Sequence, residues 1–331
     1  MICAMGQDSH HQVQKTPTPI IIIGGPTASG KSALAVALAE KINGTLICGD
    51  ALQLYAALPL LTAQPTLAEI KRVPHRLYNS RDIHENAHVA WWLKAACAAI
   101  QAVTEQGRVP IIVGGTGLYL NALTKGLATI PEIPAARRLK TQKLCEKKGV
   151  SWMHHVLNGI DPVMGKRLPP QDTQRILRAY SVHRQTGISL SQWQLKNDRG
   201  LVAHLRPQWI VLQPLKSALQ HGIERRLSAM IDQGVLAEVA SLAAHHCAPG
   251  ATLSKAIGIR EFSAHLAGML TLEEAHQKIT QQTLAYVKRQ LTWFRHQTPA
   301  DALRFDTAVT AQTLDEMVRA CIAFTAPGLS P

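Results

Sequence analysis

Long apolar runs are missing from this chain. None approaches the roughly 20 residues that a bilayer-spanning helix needs, so no membrane partner is expected. Patterned cysteine is missing too. The six thiols (Cys3, Cys48, Cys97, Cys145, Cys247 and Cys321) include no C-x-x-C pair, which argues against a zinc centre and a disulfide framework and fits a reducing cytoplasm. The first 19 residues, rich in Gln, His, Thr and Pro, lack the apolar core of a signal peptide; residues 1–18 read as a flexible tail. No internal repeat or low-complexity tract stands out. Acidic residues are scarce: 22 Asp and Glu face 35 Lys and Arg, a net charge of +13 in 331 residues. The imbalance is concentrated. Between Pro131 and Arg206 there are 14 Lys/Arg and 5 Asp/Glu, a surplus of +9. Such a block is the footprint of a polyanion-binding surface, RNA above all, or else a solvated helical face.

What is present begins with Gly25-Pro26-Thr27-Ala28-Ser29-Gly30-Lys31-Ser32, directly after Ile20-Ile21-Ile22-Ile23. The run fits the P-loop pattern G-x-x-x-x-G-K-[ST] at every fixed position. Four isoleucines read as a parallel strand buried on both faces, and Ser32 to Ile42 reads as a helix interrupted at Asn43-Gly44. A glycine-rich turn opening a helix offers backbone N–H groups and the positive end of the helix dipole to an anion. Lys31 adds a point charge, and the Ser32 hydroxyl can ligate Mg²⁺. A polyphosphate is the expected ligand.

Further strands are expected at Thr45–Cys48, Ile111–Val113, Trp209–Leu212 and, weakly, Leu303–Asp306. Helices are expected at 89–106, 219–246 and 272–294. This alternation predicts an α/β fold, a P-loop parallel sheet with helices on both faces. Residues 131–206 break the rhythm, with helical periods, Pro169-Pro170 and no convincing strand. They read as a basic, mainly helical insertion into a core made of 19–130 and 207–320, emerging beside the sheet's carboxyl edge. His154-His155 and His245-His246 lack partners at metal spacing and read as surface histidines. Trp91-Trp92 reads as core packing. Trp293 and Phe294 are expected to pack their helix onto the sheet, with Lys288, Arg289 and Arg295 facing substrate.

Asp50 follows the second strand, where a carboxylate points into the crevice of a P-loop fold. It can serve as a base, as an outer-shell Mg²⁺ partner, or simply as a helix N-cap. The third strand runs into Gly114-Gly115-Thr116-Gly117-Leu118-Tyr119, whose glycines allow close backbone approach and aim the Thr116 hydroxyl at the same crevice.

Taken with Gln174-Arg175-Ile176-Leu177-Arg178-Ala179, Lys255-Ala256-Ile257-Gly258-Ile259-Arg260-Glu261 and Lys288-Arg289-Gln290-Leu291-Thr292-Trp293-Phe294-Arg295, these motifs resemble the tRNA dimethylallyltransferase (isopentenyltransferase) family from about Ile20 to Arg295. The resemblance implies transfer of a dimethylallyl group from dimethylallyl diphosphate to the exocyclic amine of the adenosine 3′ to the anticodon. The P-loop, Gly25 to Ser32, would then cradle the diphosphate, with Lys31 and Mg²⁺ on Ser32 neutralising the leaving group and Arg226 as a phosphate clamp. Without the family, Arg226 reads as an ordinary exposed helix arginine.

The same resemblance makes Asp50 the base for the acceptor amine and gives Thr116 the task of orienting the amine or Asp50. It assigns the anticodon stem-loop to Asp50, Ala51, Leu52, Gln53, Thr116, Arg138, Gln174 to Arg178 and Lys255 to Arg260. Three departures stand out: Ala51 for the family's serine, Ala56-Ala57-Leu58-Pro59 for R-G-M-D, and Gln64 for the lysine before Pro65. They are expected to weaken a basic rim while leaving activity intact. The expected enzyme is a monomeric, Mg²⁺-dependent prenyltransferase. A nucleoside or nucleotide kinase using the same loop is the chemical alternative; it explains neither the basic insert nor the G-G-T-G-L-Y turn.

Overall fold

The isoleucine run lies in β1 (Thr18–Gly24) of the computed structural model, which describes residues 17–244 and 253–329. The tail before residue 17, His245-His246 and Cys247 lie outside the described residues. After the glycine turn come α1 (Lys31–Lys41), β2 (Gly44–Cys48), α2 (Leu67–Arg72) and β3 (His75–Arg76). Then follow α3 (Val89–Glu105), β4 (Val109–Gly114) and α4 (Gly117–Lys125).

The chain divides into two compact units. Residues Ala122–Ala203 form one, and the described residues before 122 and after 203 form the other. The division falls within α4. The smaller unit holds β5 (Leu127–Ala128), α5 (Ala135–Lys148), α6 (Val150–Ile160), α7 (Pro162–Arg167), α8 (Thr173–Thr186), α9 (Leu190–Leu195) and β6 (Asn197–Asp198). It has its own core, in which Ile133, Met153, Leu157, Ile176 and Val182 meet. Asp161 is buried there at the N-cap of α7, accepting from the Met164 N–H at 3.2 Å, the Ser191 N–H at 2.9 Å and the Ser191 hydroxyl at 2.6 Å. Burial of a carboxylate is tolerable because these donors replace its water.

Two expectations need correction here. The segment 131–206 does contain strand: its β6 pairs antiparallel with β5, which lies just ahead of residue 131, through Leu127–Asp198 and Ala128–Asn197. His154 is half-buried and structural, its Nε2 lying 2.9 and 3.0 Å from the carbonyls of Gly165 and Leu168. Two acceptors at one nitrogen require that it carries the proton and donates. His155 is exposed.

The larger unit resumes with β7 (Leu205–Leu212), α10 (Lys216–Asp232), α11 (Val235–Ala244), α12 (Ile259–Leu266), α13 (Leu272–Gln297), β8 (Leu303–Phe305) and α14 (Ala311–Leu329). Its six strands are all parallel, in the order β3-β2-β4-β1-β7-β8. Ile21 and Ile23 pack with Leu34 and Leu38 of α1 and with Val318 and Cys321 of α14. Ile20 and Ile22 alternate onto the opposite face, and all four isoleucines are fully buried.

Residues 219–246 do not form one helix. They break between α10 and α11, where Gly234 adopts a left-handed φ of 93° that ends a helix. Trp92 is core, as expected. It stacks on Tyr119 with ring centres 4.5 Å apart and donates its indole N–H to the Cys48 carbonyl at 2.8 Å.

Candidate active site

The glycine turn joins β1 to α1 at the carboxyl edge of the sheet. Gly30 takes φ 87° at the helix N-cap, a conformation that favours glycine, and Ala28 is also left-handed at φ 61°. No side chain caps α1 and its first turn holds no acidic residue, so its N–H groups and dipole are available to an anion. Ser29 Oγ is buried beneath the turn with no hydrogen-bond partner. Ser32 is exposed at the first turn of α1.

Two cations converge on this cradle. Lys31 Nζ donates to the Pro26 carbonyl at 2.6 Å. Burial pushes the Lys31 ammonium down to about 8; Asp50 works against that fall and the Arg226 charge adds to it. Arg226, reaching in from α10, donates to Thr27 Oγ1 at 2.8 Å, and burial likewise depresses it against the pull of Asp50. Two cations drawn out of water without a full carboxylate partner are costly until an anion arrives. Arg226 is therefore no ordinary exposed arginine.

Asp50 follows β2, but no helix follows it. Its Oδ1 accepts from the Leu52 N–H at 3.0 Å, an Asx turn in place of a helix cap. Thr116 Oγ1 accepts from the Ala51 N–H at 3.0 Å, so Thr116 fixes the backbone beside Asp50. The close approach behind this pair depends on Gly114, where a Cβ would collide with the Gly49 backbone.

A cavity of about 300 Å³ opens from the cradle, and Asp50 borders it. Two helices contribute stripes to its wall. From α10 come Ile223, Arg226, Leu227 and Met230; from α13 come Ile279, Thr283, Tyr286 and Gln290. Both spacings are those of one helical face. Ala28 packs against Leu219, Ile223 and Val287, which places the start of α10 and the later part of α13 at the P-loop. Along each stripe the polar group, Arg226 or Gln290, contacts Thr27, while Met230 and Ile279 lie farther off, buried and apolar. The cavity is polar at one end and apolar at the other.

Gln290 has no place among the expected site residues, yet its side chain joins two of the loops that build the site. Its Oε1 accepts from the Thr27 N–H at 2.9 Å, and its Nε2 donates to the Gly115 carbonyl at 3.0 Å. The Lys288-to-Arg295 motif held the signal, but charge drew attention to Lys288, Arg289 and Arg295, all of which are exposed. Glu238 likewise escaped sequence reasoning. It accepts from the Leu60 and Leu61 N–H groups at 2.7 and 2.9 Å, holding the loop that carries Leu61 into the cavity wall, and burial pushes its carboxyl up.

The residues expected to read RNA divide by environment. Gln53 turns inward, its Nε2 donating to the Thr62 and Ala63 carbonyls at 3.0 and 2.8 Å. Ala256 and Ile257 line the cavity, Gly258 caps α12, Ile259 is half-buried, and Lys255 and Arg260 are exposed. In the smaller unit Gln174, Arg175 and Arg178 stand exposed on α8, and Arg138 is exposed on α5 while donating to the Ile133 carbonyl at 2.8 Å. Ile176 is 0 % exposed, so its side chain serves that unit's core, and Leu177 packs against the same cluster. Position 64 is no rim site either. Gln64 is buried and donates to the Tyr55 carbonyl at 2.6 Å, and Leu58 is likewise buried.

Comparison with known proteins follows the same outline. A family model described as IPP transferase matches residues 53–297. The tRNA dimethylallyltransferase of Rhodospirillum centenum is 46 % identical over 288 residues, covering 87 % of this chain and 91 % of that protein. The crystal structure of a full-length tRNA isopentenylpyrophosphate transferase from Bacillus halodurans is 30 % identical, with a TM-score of 0.66 over 94 % of this chain and 97 % of that one. A eukaryotic dimethylallyltransferase, crystallised while acting on tRNA, shares the fold at 23 % identity, with a TM-score of 0.79 over 95 % of this chain and 80 % of its own.

Proposed function

The chain belongs to the IPP transferase family, the tRNA dimethylallyltransferases, and from that premise we propose how its residues divide the reaction. The donor is dimethylallyl diphosphate. Its diphosphate occupies the turn from Gly25 to Ser32, met by N–H groups of α1, Lys31 and Arg226. Its five-carbon tail lies along Ile223, Leu227, Met230 and Ile279. The change from polar to apolar along one cavity carries this reading, because it matches an amphiphile with an anionic head. A nucleoside triphosphate would place a polar ribose against the same apolar wall, which counts against the kinase alternative.

The acceptor is the exocyclic nitrogen of the adenosine 3′ to the anticodon, swung out of the loop stack to enter the crevice. Its lone pair forms the new N–C bond to the first carbon of the dimethylallyl group as the C–O bond breaks. The bonding electrons depart with the diphosphate, and the amine proton passes to Asp50. Lys31 and Arg226 stabilise the charge gathering on the leaving group. Thr116 holds the Asp50 segment at the crevice.

Hard oxygen donors border the cradle, namely Ser32 and Asp50, and no group of three His, Cys, Asp or Glu forms a protein cage among the described residues. That donor set suits Mg²⁺, which keeps much of its water and binds largely through substrate phosphates. Ser32 would hold the ion, which supplies further neutralisation of the leaving group.

The test is transfer itself. Labelled dimethylallyl diphosphate and Mg²⁺ are incubated with unmodified tRNA or with AMP, alongside an ATP-hydrolysis control. Label should enter tRNA alone. Label in AMP, or ATP turnover without prenyl transfer, would overturn the assignment.

A further inference from the structure

Two halves of the reaction are held by different loops: the leaving group by the turn after β1, the acceptor and its base by the turns after β2 and β4. Displacement requires the reacting atoms to meet at about 3–3.5 Å, and misplacement by about 1 Å can cost 10²-fold in rate. Something must fix the distance between the loops. Sheet hydrogen bonds do so only as far as Gly24 and Gly114, the last residues in register.

Beyond that point a buried side chain spans the gap. Gln290, 5 % exposed on α13, takes the Thr27 N–H with one amide atom and gives a hydrogen bond to the Gly115 carbonyl with the other. The next residue, Thr116, takes the Ala51 N–H, and Asp50 beside it takes the Leu52 N–H. A continuous path of hydrogen bonds and backbone thus runs from the P-loop to the carboxylate. We propose that Gln290 is a positioning residue for prenyl transfer, setting the spacing between the diphosphate cradle and the Asp50–Thr116 crevice. The proposal rests on reading this cavity as the donor site.

Glutamine suits the position. Both neighbours are backbone groups of opposite polarity, an N–H and a carbonyl, and an uncharged amide accepts from one with its oxygen while donating to the other with its nitrogen. Glutamate keeps the acceptor and sets a carboxylate oxygen against the Gly115 carbonyl. Methionine keeps the length and abolishes both bonds.

The experiment compares Gln290→Glu and Gln290→Met with the parent chain, using dimethylallyl diphosphate and unmodified tRNA. At saturating concentrations of both, kcat should fall roughly 30- to 100-fold for the methionine variant and at least about tenfold for the glutamate variant. The KM for dimethylallyl diphosphate and the Kd for tRNA should stay within about threefold, a split that loss of binding would not give. A cycle with Thr116→Val adds a second readout. If Gln290 acts through the Gly115–Thr116 turn, the double variant should be less impaired than the product of the single effects. Near-parental kcat in the isosteric glutamate variant, or fully multiplicative losses in the cycle, would overturn the proposal. Absence of transfer by the parent chain would instead overturn the reading of the cavity.

Discussion

At the scale of single residues, Asp50 offers the cleanest separation of structure from chemistry. Its Oδ1 closes an Asx turn on the Leu52 N–H at 3.0 Å. Asparagine keeps an oxygen acceptor at that atom, so Asp50→Asn should preserve the turn and the Ala51–Thr116 bond beside it. What it removes is the charge that can take a proton. The expected outcome is a fall in kcat of roughly 10²-fold or more, with tRNA affinity and thermal midpoint close to parental. Normal turnover in that variant would mean that another group accepts the proton. Lys31, Asp50 and Thr116 were legible in the sequence because each sits at a fixed distance from a strand end or motif, whereas Arg226, in the middle of α10, entered only through the family resemblance. Three glutamines were not. Gln53, Gln64 and Gln290 carry donors and acceptors equally suited to a base edge or a peptide group, and the sequence does not say which they meet. In the fold all three bond backbone carbonyls.

Whole elements were legible to different depths for an equally physical reason. Strands buried on both faces declare themselves through β-branched runs such as Ile20–Ile23. The break at Gly234 within the segment read as one helix did not, since a glycine inside a helical pattern is often tolerated. The paired stripes on α10 and α13 became readable only once the P-loop was seen at one end of both. They make a prediction about length. At 1.5 Å per residue, Met230 lies about 6 Å along α10 from Arg226, comparable to the reach of a five-carbon chain. Truncating it should lengthen the apolar end. Met230→Ala is expected to raise the kcat/KM ratio of geranyl diphosphate over dimethylallyl diphosphate by about tenfold, the order of discrimination that an apolar pocket can provide. An unchanged ratio, measured on tRNA with both donors, would show that the tail does not run along this face.

Across the whole molecule the governing quantity is the uneven charge. The surplus of +9 between Pro131 and Arg206 is out of proportion to anything a small diphosphate needs. Within the smaller unit, Arg175 and Arg178 stand exposed on α8, whose neighbour Ile176 is locked in the core. Burial of Ile176 fixes the helix rotation and so keeps its flanking cations at the surface. Partial burial of its guanidinium, and then the nearby Arg138 charge, depress Arg178 although the residue as a whole is exposed; a phosphate backbone would relieve the like-charge part. Electrostatic binding to a polyanion releases counterions, so tRNA affinity should fall steeply with salt, whereas a small diphosphate held in a buried cradle should respond far less. Replacing Arg175 and Arg178 by glutamine should weaken tRNA binding at low salt. It should also reduce the slope of log K against log salt by about 1 for each phosphate that is no longer neutralised. Dimethylallyl diphosphate affinity should be unmoved, because neither residue lines the cavity. Titration of tRNA across a range of salt concentrations decides the matter: a slope unchanged by the double substitution would take the RNA-binding role away from this face of α8.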